Sequence, residues 1–338
     1  FRDLQGEGEP LFTGPEGCLH QAERAFVNGR SDVPTAEGLP YFNQGEGCSG
    51  SHLLETDFEP GMGDGQSLFE LSGIGPVFGL TTLDYEPIQR YLQFWTTDGR
   101  RRLTRMLARG GRYKEYLITA LNEAGLPQEL FYLVLVESGF SPTALSSAGA
   151  VGLWQFMERT GSSYGLQIDR ELDERMDVAK ATESAIAFLS HLYERFESWP
   201  LAMAAYNAGG GHVRSELRRY NTNDFWRLDD YGAIWDQTRS YVYMIITAAI
   251  IGEHPERFGF SGIVYEEPVP VEVVEIPADT RLSVIARAAR CDVETLLELN
   301  PSLLISRTPS TEAHYPLRIP AESLPDFISR YDDYVAEE

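Results

Sequence analysis

Seven apolar residues in a row, LFYLVLV at 130–136, run directly into Glu137, Ser138 and Gly139. A helix over roughly 128–138, closed by Gly139 as its C-terminal glycine, places Glu137 in the last turn. The apolar run implies desolvation, and the carbonyl end of the helix dipole opposes a negative charge there. Both effects raise a carboxyl pKa and favour its neutral form. A neutral carboxylic acid beside a groove can donate a proton to a glycosidic oxygen. The competing reading, a half-exposed glutamate at a helix end, is left open by this stretch alone.

The surrounding pattern is helical from Leu83 to about Phe258. YEPIQRYLQFW opens near Pro87 with Ile88, Leu92 and Trp95 at near-helical spacing. RRLTRMLARGGRYKEYLITALNEAGLP reads as two helices divided at Gly110-Gly111 and stopped by Gly125 and Pro127. AKATESAIAFLSHLYERFESW is the best amphipathic segment, with Ala185, Ile186, Leu189, Leu192, Tyr193 and Phe196 three and four apart. YVYMIITAAII at 241–251 suits a buried helix, and no apolar run approaches the roughly 20 residues of a membrane span. After Phe260 the texture changes: VPVEVVEIP reads as a strand, TRLSVIARAARCDVETLLELN as two short helices and HYPLRIP as a closing strand. The expected fold is mainly α, a helical body plus a small α+β unit.

Composition excludes some functions. A formal net charge of -23 over 338 residues disfavours a nucleic-acid partner, which needs Lys/Arg neutralisation of phosphates. The six histidines form neither an HExxH motif nor an i, i+4 pair, so no metal or cofactor is expected. Residues 1–66 are acidic and rich in glycine and proline, an extended arm in which Cys18 and Cys48 form either a disulfide or two free thiols. The chain opens at Phe1 without a signal peptide, so export is not legible in the residues.

Between the helices, SPTALSSAGAVGLWQFM collects small residues that let backbone approach a ligand closely. Trp154 and Gln155 are expected to open the helix that follows. LAMAAYNAGGGHV ends an apolar helix with Tyr206 and Asn207 before a triple glycine. Amides and tyrosines suit sugar hydroxyls and N-acetyl groups, while helix capping and core packing account for them equally well. Asp169, Glu171, Asp173 and Glu174 read as a solvated polar cluster, so no second catalytic carboxylate stands out.

ESGFSPTALSSAGAVGLWQFM, AAYNAGGGHV and TRSYV at 238–242, in that order, resemble the three motifs of the lytic transglycosylases, the soluble-transglycosylase or goose-type-lysozyme-like family. The likeness covers about residues 83–260. It implies a lysozyme-like helical catalytic domain over 67–262 in which Glu137 is the sole acid/base. It further implies that Ser146, Gln155, Met157, Tyr206, Asn207 and Tyr241 line sugar subsites, with Ser138 supporting the catalytic glutamate. The implied reaction cleaves the MurNAc–GlcNAc bond of peptidoglycan by attack of the MurNAc 6-hydroxyl, giving a 1,6-anhydro end without metal or cofactor. A periplasmic or cell-envelope location in a bacterium follows from the same likeness, with membrane contact through an N-terminal anchor at most; oligomeric state is not implied. Residues 263–338 resemble a degenerate LysM unit of βααβ shape plus a tail, on the T-x-L-S-x-I-A opening of TRLSVIA, the L-x-x-L-N-P centre and LRIP. The long insert ISRTPSTEAHY departs from that pattern and favours a structural cap over glycan binding. Two other readings share the same residues: a goose-type muramidase using water, and a non-catalytic peptidoglycan-binding scaffold.

Overall fold

A computed structural model of the chain describes residues 77–78 and 85–336 apart from 312. The acidic arm and the Cys18/Cys48 pairing lie outside the described residues. Among the described residues, nine helices build the body: α1 Glu86–Thr96, α2 Arg100–Glu123, α3 Phe131–Ser138, α4 Glu158–Ser163, α5 Val178–Phe196, α6 Trp199–Ala208, α7 Gly210–Arg219, α8 Phe225–Asp230 and α9 Asp236–Glu253. Pro87 in the first turn of α1 fixes its start, and Ile88, Leu92 and Trp95 are buried as their spacing requires. Asp177 caps α5 by accepting from the Ala179 and Lys180 amides, and Ala185, Leu189 and Leu192 turn inward, whereas Tyr193 of the expected apolar face is exposed.

One helical break expected from the sequence is absent. Arg100–Glu123 is a single helix that runs through Gly110-Gly111. These glycines serve packing: a Cβ on Gly110 would lie 2.7 Å from the Phe140 ring, and one on Gly111 2.7 Å from the Glu266 carbonyl. The helix is narrow there so that the chain leaving Glu137 and the segment at 265–266 can lie against it.

The centre of the body is the pair α3 and α9. Every residue of α3 is buried, and α9 is buried from Thr238 through Gly252 except at Arg239. Gly252 accepts the edge of Tyr132, whose hydroxyl donates to Glu253 at 3.0 Å. No helix among the described residues is long and apolar enough to cross a membrane. The apolar character of these two helices therefore belongs to the core.

The C-terminal unit has its own core. Strands β1 Val271–Pro277 and β2 His314–Pro320 pair antiparallel, from Val271 opposite Pro320 to Pro277 opposite His314. Helices α10 Leu282–Ala289 and α11 Val293–Leu299 lie between them in sequence, giving the expected strand–helix–helix–strand order. Tyr315, Leu317 and Ile319 alternate inward from β2 onto Leu282, Ile285 and Leu296. The tail beyond is not loose: Leu324–Ala336 forms a further helix, α12, with Phe327 buried and the Arg287 guanidinium 4.3 Å above the Tyr334 ring. Leu172 of the body also belongs to this second core.

Helix propensity alone favours Gly252→Ala by about 1 kcal/mol. Its Cβ would sit 2.1 Å from the buried Tyr132 ring. The substitution should therefore destabilise the protein by about 2 kcal/mol, as forced overpacking does, and lower the melting temperature by several degrees. An unchanged or raised melting temperature would mean that Tyr132 can yield.

Candidate active site

Glu137 lies in the last turn of α3, which closes because Gly139 adopts the left-handed conformation at φ 56°, with its amide bonded to the Leu135 carbonyl. The Gly139 carbonyl accepts from the Arg109 guanidinium of α2 at 3.0 Å. Phe140 follows at φ 62°, so two consecutive residues turn the chain sharply away from the carboxyl.

The Glu137 side chain is 8% exposed and accepts one hydrogen bond, from the Tyr241 hydroxyl of α9 at 2.6 Å. Burial pushes its pKa up to about 8, and the Tyr241 hydrogen bond pulls the other way. Burial and the nearby Glu137 hold the Tyr241 phenol well above its ordinary value, so it remains a donor. Tyr206 on α6 is pushed up by the same two causes, and its hydroxyl donates to the Trp154 carbonyl at 2.7 Å. Glu137, Tyr206 and Tyr241 thus come together from three helices. The charge of another carboxylate is not among the causes acting on Glu137.

The remaining candidates divide by what their polar atoms touch. Ser138 donates to the carbonyls of Leu153 at 2.7 Å and Val134 at 3.3 Å, tying the end of α3 to the following loop. Ser146 Oγ accepts from the Ala150 amide at 2.8 Å, and Gln155 Nε2 donates to the carbonyls of Gly152 and Ala144 at 2.9 and 3.1 Å. Both side chains hold the loop in shape. The Gln155 Oε1 is buried without a partner among the described residues. Gln155 sits at φ 51° in a turn, and the helix begins at Glu158, so Trp154 and Gln155 precede α4 and do not open it. Met157 is 46% exposed beside that turn. Asn207 is half-buried, its Oδ1 accepting from Thr238 at 2.8 Å.

The loop is folded on itself. Val151 bridges both Leu145 and Phe156 in antiparallel fashion, and Trp154 Nε1 donates to Thr182 of α5 at 3.0 Å. Gly152 at φ 86° is indispensable there, because a Cβ would fall 1.8 Å from the Arg175 carbonyl. Arg175 itself was invisible to sequence reading, as were Arg109 and the role of Thr238. Thr238 did lie within the TRSYV motif, whereas nothing in the sequence around Arg175 sets it apart.

The acidic cluster keeps its expected solvation only in part: Asp169 is exposed, Glu171 and Glu174 are half-buried, and Asp173 is buried. Asp173 is buried against Arg175 at 2.7 Å, and Glu174 accepts from the Gln167 amide at 2.7 Å. Asp169 accepts from the Glu171 and Leu172 amides at 2.8 and 3.0 Å, and Glu171 accepts from the Ser310 amide at 2.8 Å. These carboxylates build a strap, and none of them takes part in the bonding around Glu137.

Two family models match the chain. The Transglycosylase SLT domain covers residues 116–228, a span that includes Glu137 through Asn207 but stops short of Tyr241. The LysM-like domain of lytic transglycosylase MltD covers residues 271–336. Among curated relatives, the membrane-bound lytic murein transglycosylase D of Escherichia coli is 30% identical over 193 residues, 56% of this chain and 42% of its own. A membrane-bound lytic murein transglycosylase F of Alkalilimnicola ehrlichii is 29% identical over 141 residues, 39% of this chain and 28% of its own. The chain thus spans less than half the length of these relatives. A solved lytic transglycosylase Slt from Pseudomonas aeruginosa shares 25% identity over 44% of this chain and 25% of its own, with a TM-score of 0.35. Residues 116–228 thus match a transglycosylase SLT domain, and residues 271–336 a LysM-like domain of the MltD type.

Proposed function

We propose that this protein is a peptidoglycan lytic transglycosylase that cuts the MurNAc–GlcNAc β-1,4 bond and leaves a 1,6-anhydroMurNAc end. The observation that carries the reading is the buried Glu137 carboxyl, neutral near pH 7 and bonded to Tyr241. Its catalytic domain is assigned to residues 67–262. The substrate is the glycan strand of the bacterial cell wall, and the place of action is the cell envelope.

In the first step Glu137 gives its proton to the bridging oxygen as the bond to the MurNAc anomeric carbon breaks. The substrate's N-acetyl carbonyl oxygen shares the positive charge that develops on that carbon. In the second step the Glu137 carboxylate takes the proton of the MurNAc 6-hydroxyl, whose oxygen bonds to the anomeric carbon. The acid is thereby restored and no water is consumed. One group performs both tasks, in place of the carboxylate pair of most glycosidases. Burial supports the acid role by keeping the proton on and makes the carboxylate that forms a stronger base, while the Tyr241 hydroxyl eases the first proton transfer by donating to that carboxylate. Ser146, Gln155, Met157, Tyr206 and Asn207 are assigned to the sugar-binding surface, with Ser138 as a support.

Mass spectrometry of muropeptides released from purified peptidoglycan tests the reading. Products lighter than their hydrolytic counterparts by the mass of one water are expected, and Glu137→Gln should release them roughly 100- to 10,000-fold more slowly. Reducing-end products would make the protein a muramidase; no product from the wild type would leave a binding scaffold.

The pH dependence follows from the same carboxyl. kcat/KM should fall as pH rises through about 8, where Glu137 loses its proton. Tyr241→Phe removes an influence that lowers this pKa, so the falling limb should move to higher pH. Stability gives an independent check. The folded value lies above the ordinary value of 4.5, so the contribution of neutral Glu137 is fully present below about 4.5 and is lost as pH rises through about 8. Glu137→Gln, which has no proton to lose, should be more stable than wild type at pH 9; thermal melts at pH 5 and pH 9 would measure the difference.

A further inference from the structure

The segment 167–177 lies between the C-terminal unit and the loop at 144–157, and it is bonded to both. Toward the C-terminal unit, the Asp173 amide donates to the Ser302 carbonyl and the Leu304 amide to the Glu171 carbonyl, each at 2.9 Å. Leu172 bridges Leu303 and is buried in the C-terminal core. Arg318 of β2 donates to Asp177 at 2.7 Å, and Asp177 is the residue that caps α5. Toward the loop, Arg175 grips Asp173 with Nε and Nη2 at 2.9 and 2.7 Å. Its remaining nitrogen, Nη1, reaches the carbonyls of Gly149 at 3.1 Å and Phe156 at 3.3 Å. Arg175 is buried, and its own carbonyl lies against Gly152.

A planar guanidinium can hold a carboxylate in a fork and still offer a nitrogen to two carbonyls, which an ammonium cannot do. The loop it holds reaches the reacting centre at two points, through Ser138 to Leu153 and through Tyr206 to Trp154. A unit that served only to hold glycan would need no more than a linker to the body. This one lends a strand-like edge, a buried ion pair and a core position to the strap.

We infer that the C-terminal unit is a positioning element of the reaction: it pairs with the strap 167–177, the strap fixes Arg175, and Arg175 fixes the loop around Glu137. Arg175 is a positioning residue, since it touches loop backbone and its partner Asp173 and acts on Glu137 through them. The inference rests on the transglycosylase reading for its catalytic consequence and on hydrogen bonds alone for its mechanical one.

The test uses the full chain and purified peptidoglycan, with the seam weakened by Arg318→Ala combined with Ser310→Ala, which removes the bond from the Ser310 hydroxyl to the Glu171 carboxylate at 2.9 Å. Hydrogen exchange at the Asp173 and Leu304 amides reports opening of the seam, and exchange at Val151 and Phe156 reports the loop. Faster exchange at both places is expected, with far-UV circular dichroism unchanged. Release of anhydro products should drop about 10- to 100-fold in kcat, the scale of a small misplacement of reacting groups. The alkaline limb of the pH profile should move to lower pH as the loosened loop lets water reach Glu137. In a second pair of variants, Arg175→Lys should retain more kcat than Arg175→Gln, because it keeps the charge beside Asp173. Seam amides that exchange faster while loop amides, kcat and pH profile stay as in the wild type would overturn the inference. A wild type that makes no anhydro product would strike the transglycosylase reading instead, and loop exchange that still followed the seam would uphold the mechanical coupling.

Discussion

The Glu137 carboxyl sits at 8% exposure with Tyr241 as its hydrogen-bond partner, and much of the body exists to make that tolerable. An ionised carboxylate in such surroundings is expensive, so the group holds its proton to about pH 8. To keep water away, α3 must be apolar up to Glu137, and α9 must be apolar where it crosses it. To keep the carboxyl from being left unsatisfied, α9 must place one phenol within hydrogen-bond reach. The two helices are therefore joined by close packing, including the Gly252–Tyr132 contact, and by one polar bond at the site.

Around that bond the loop from Phe140 to Met157 is anchored in the core by Phe140, Leu153, Trp154 and Phe156, and hydrogen bonds set its path between those anchors. Ser146 and Gln155 bond to their own loop, Ser138 and Tyr206 attach it to the helices, and Gly152 lets it pass under Arg175. The same residue types that suit a sugar-binding surface here also hold the backbone that would form it. The exposed Met157 and Leu145, at 46% and 55%, are the apolar side chains the loop leaves facing outward.

The two-core arrangement has a consequence of scale. The C-terminal unit is small, with a two-stranded sheet and three helices, and a sheet of two strands is marginal without further cover. Leu172 of the body fills part of its core, α12 covers α10, and Arg318 and Asp177 share a largely buried ion pair across the seam. Burying those charges is acceptable because each has its partner and Asp177 also caps a helix. Cover for the small unit and support for the loop come from one strap.

Helical identity was readable where periodicity and punctuation agreed, as in α1 at Pro87, α5 at Leu189 and Leu192, and α3 up to Gly139. VPVEVVEIP and HYPLRIP were equally legible as strands, and the fold paired them. Glu137 stood out because a carboxyl after seven apolar residues has few uses, and the ordered motifs named its companions through a family likeness. Local signals failed where they have two meanings. Gly110-Gly111 reads as a break in any sequence, and only the nearness of Phe140 and Glu266 makes it a packing notch inside one helix. Asp173 reads as a surface acid, and only Arg175 folded back on it makes it a buried anchor. Thus the sequence by itself determined the helical body, the βααβ unit and Glu137 as the candidate acid, because these depend on the nearest few residues along the chain. Tertiary structure decided the Tyr241 bond across 104 positions, the strap and the grip of Arg175, because these depend on residues distant in sequence that meet only in the folded chain.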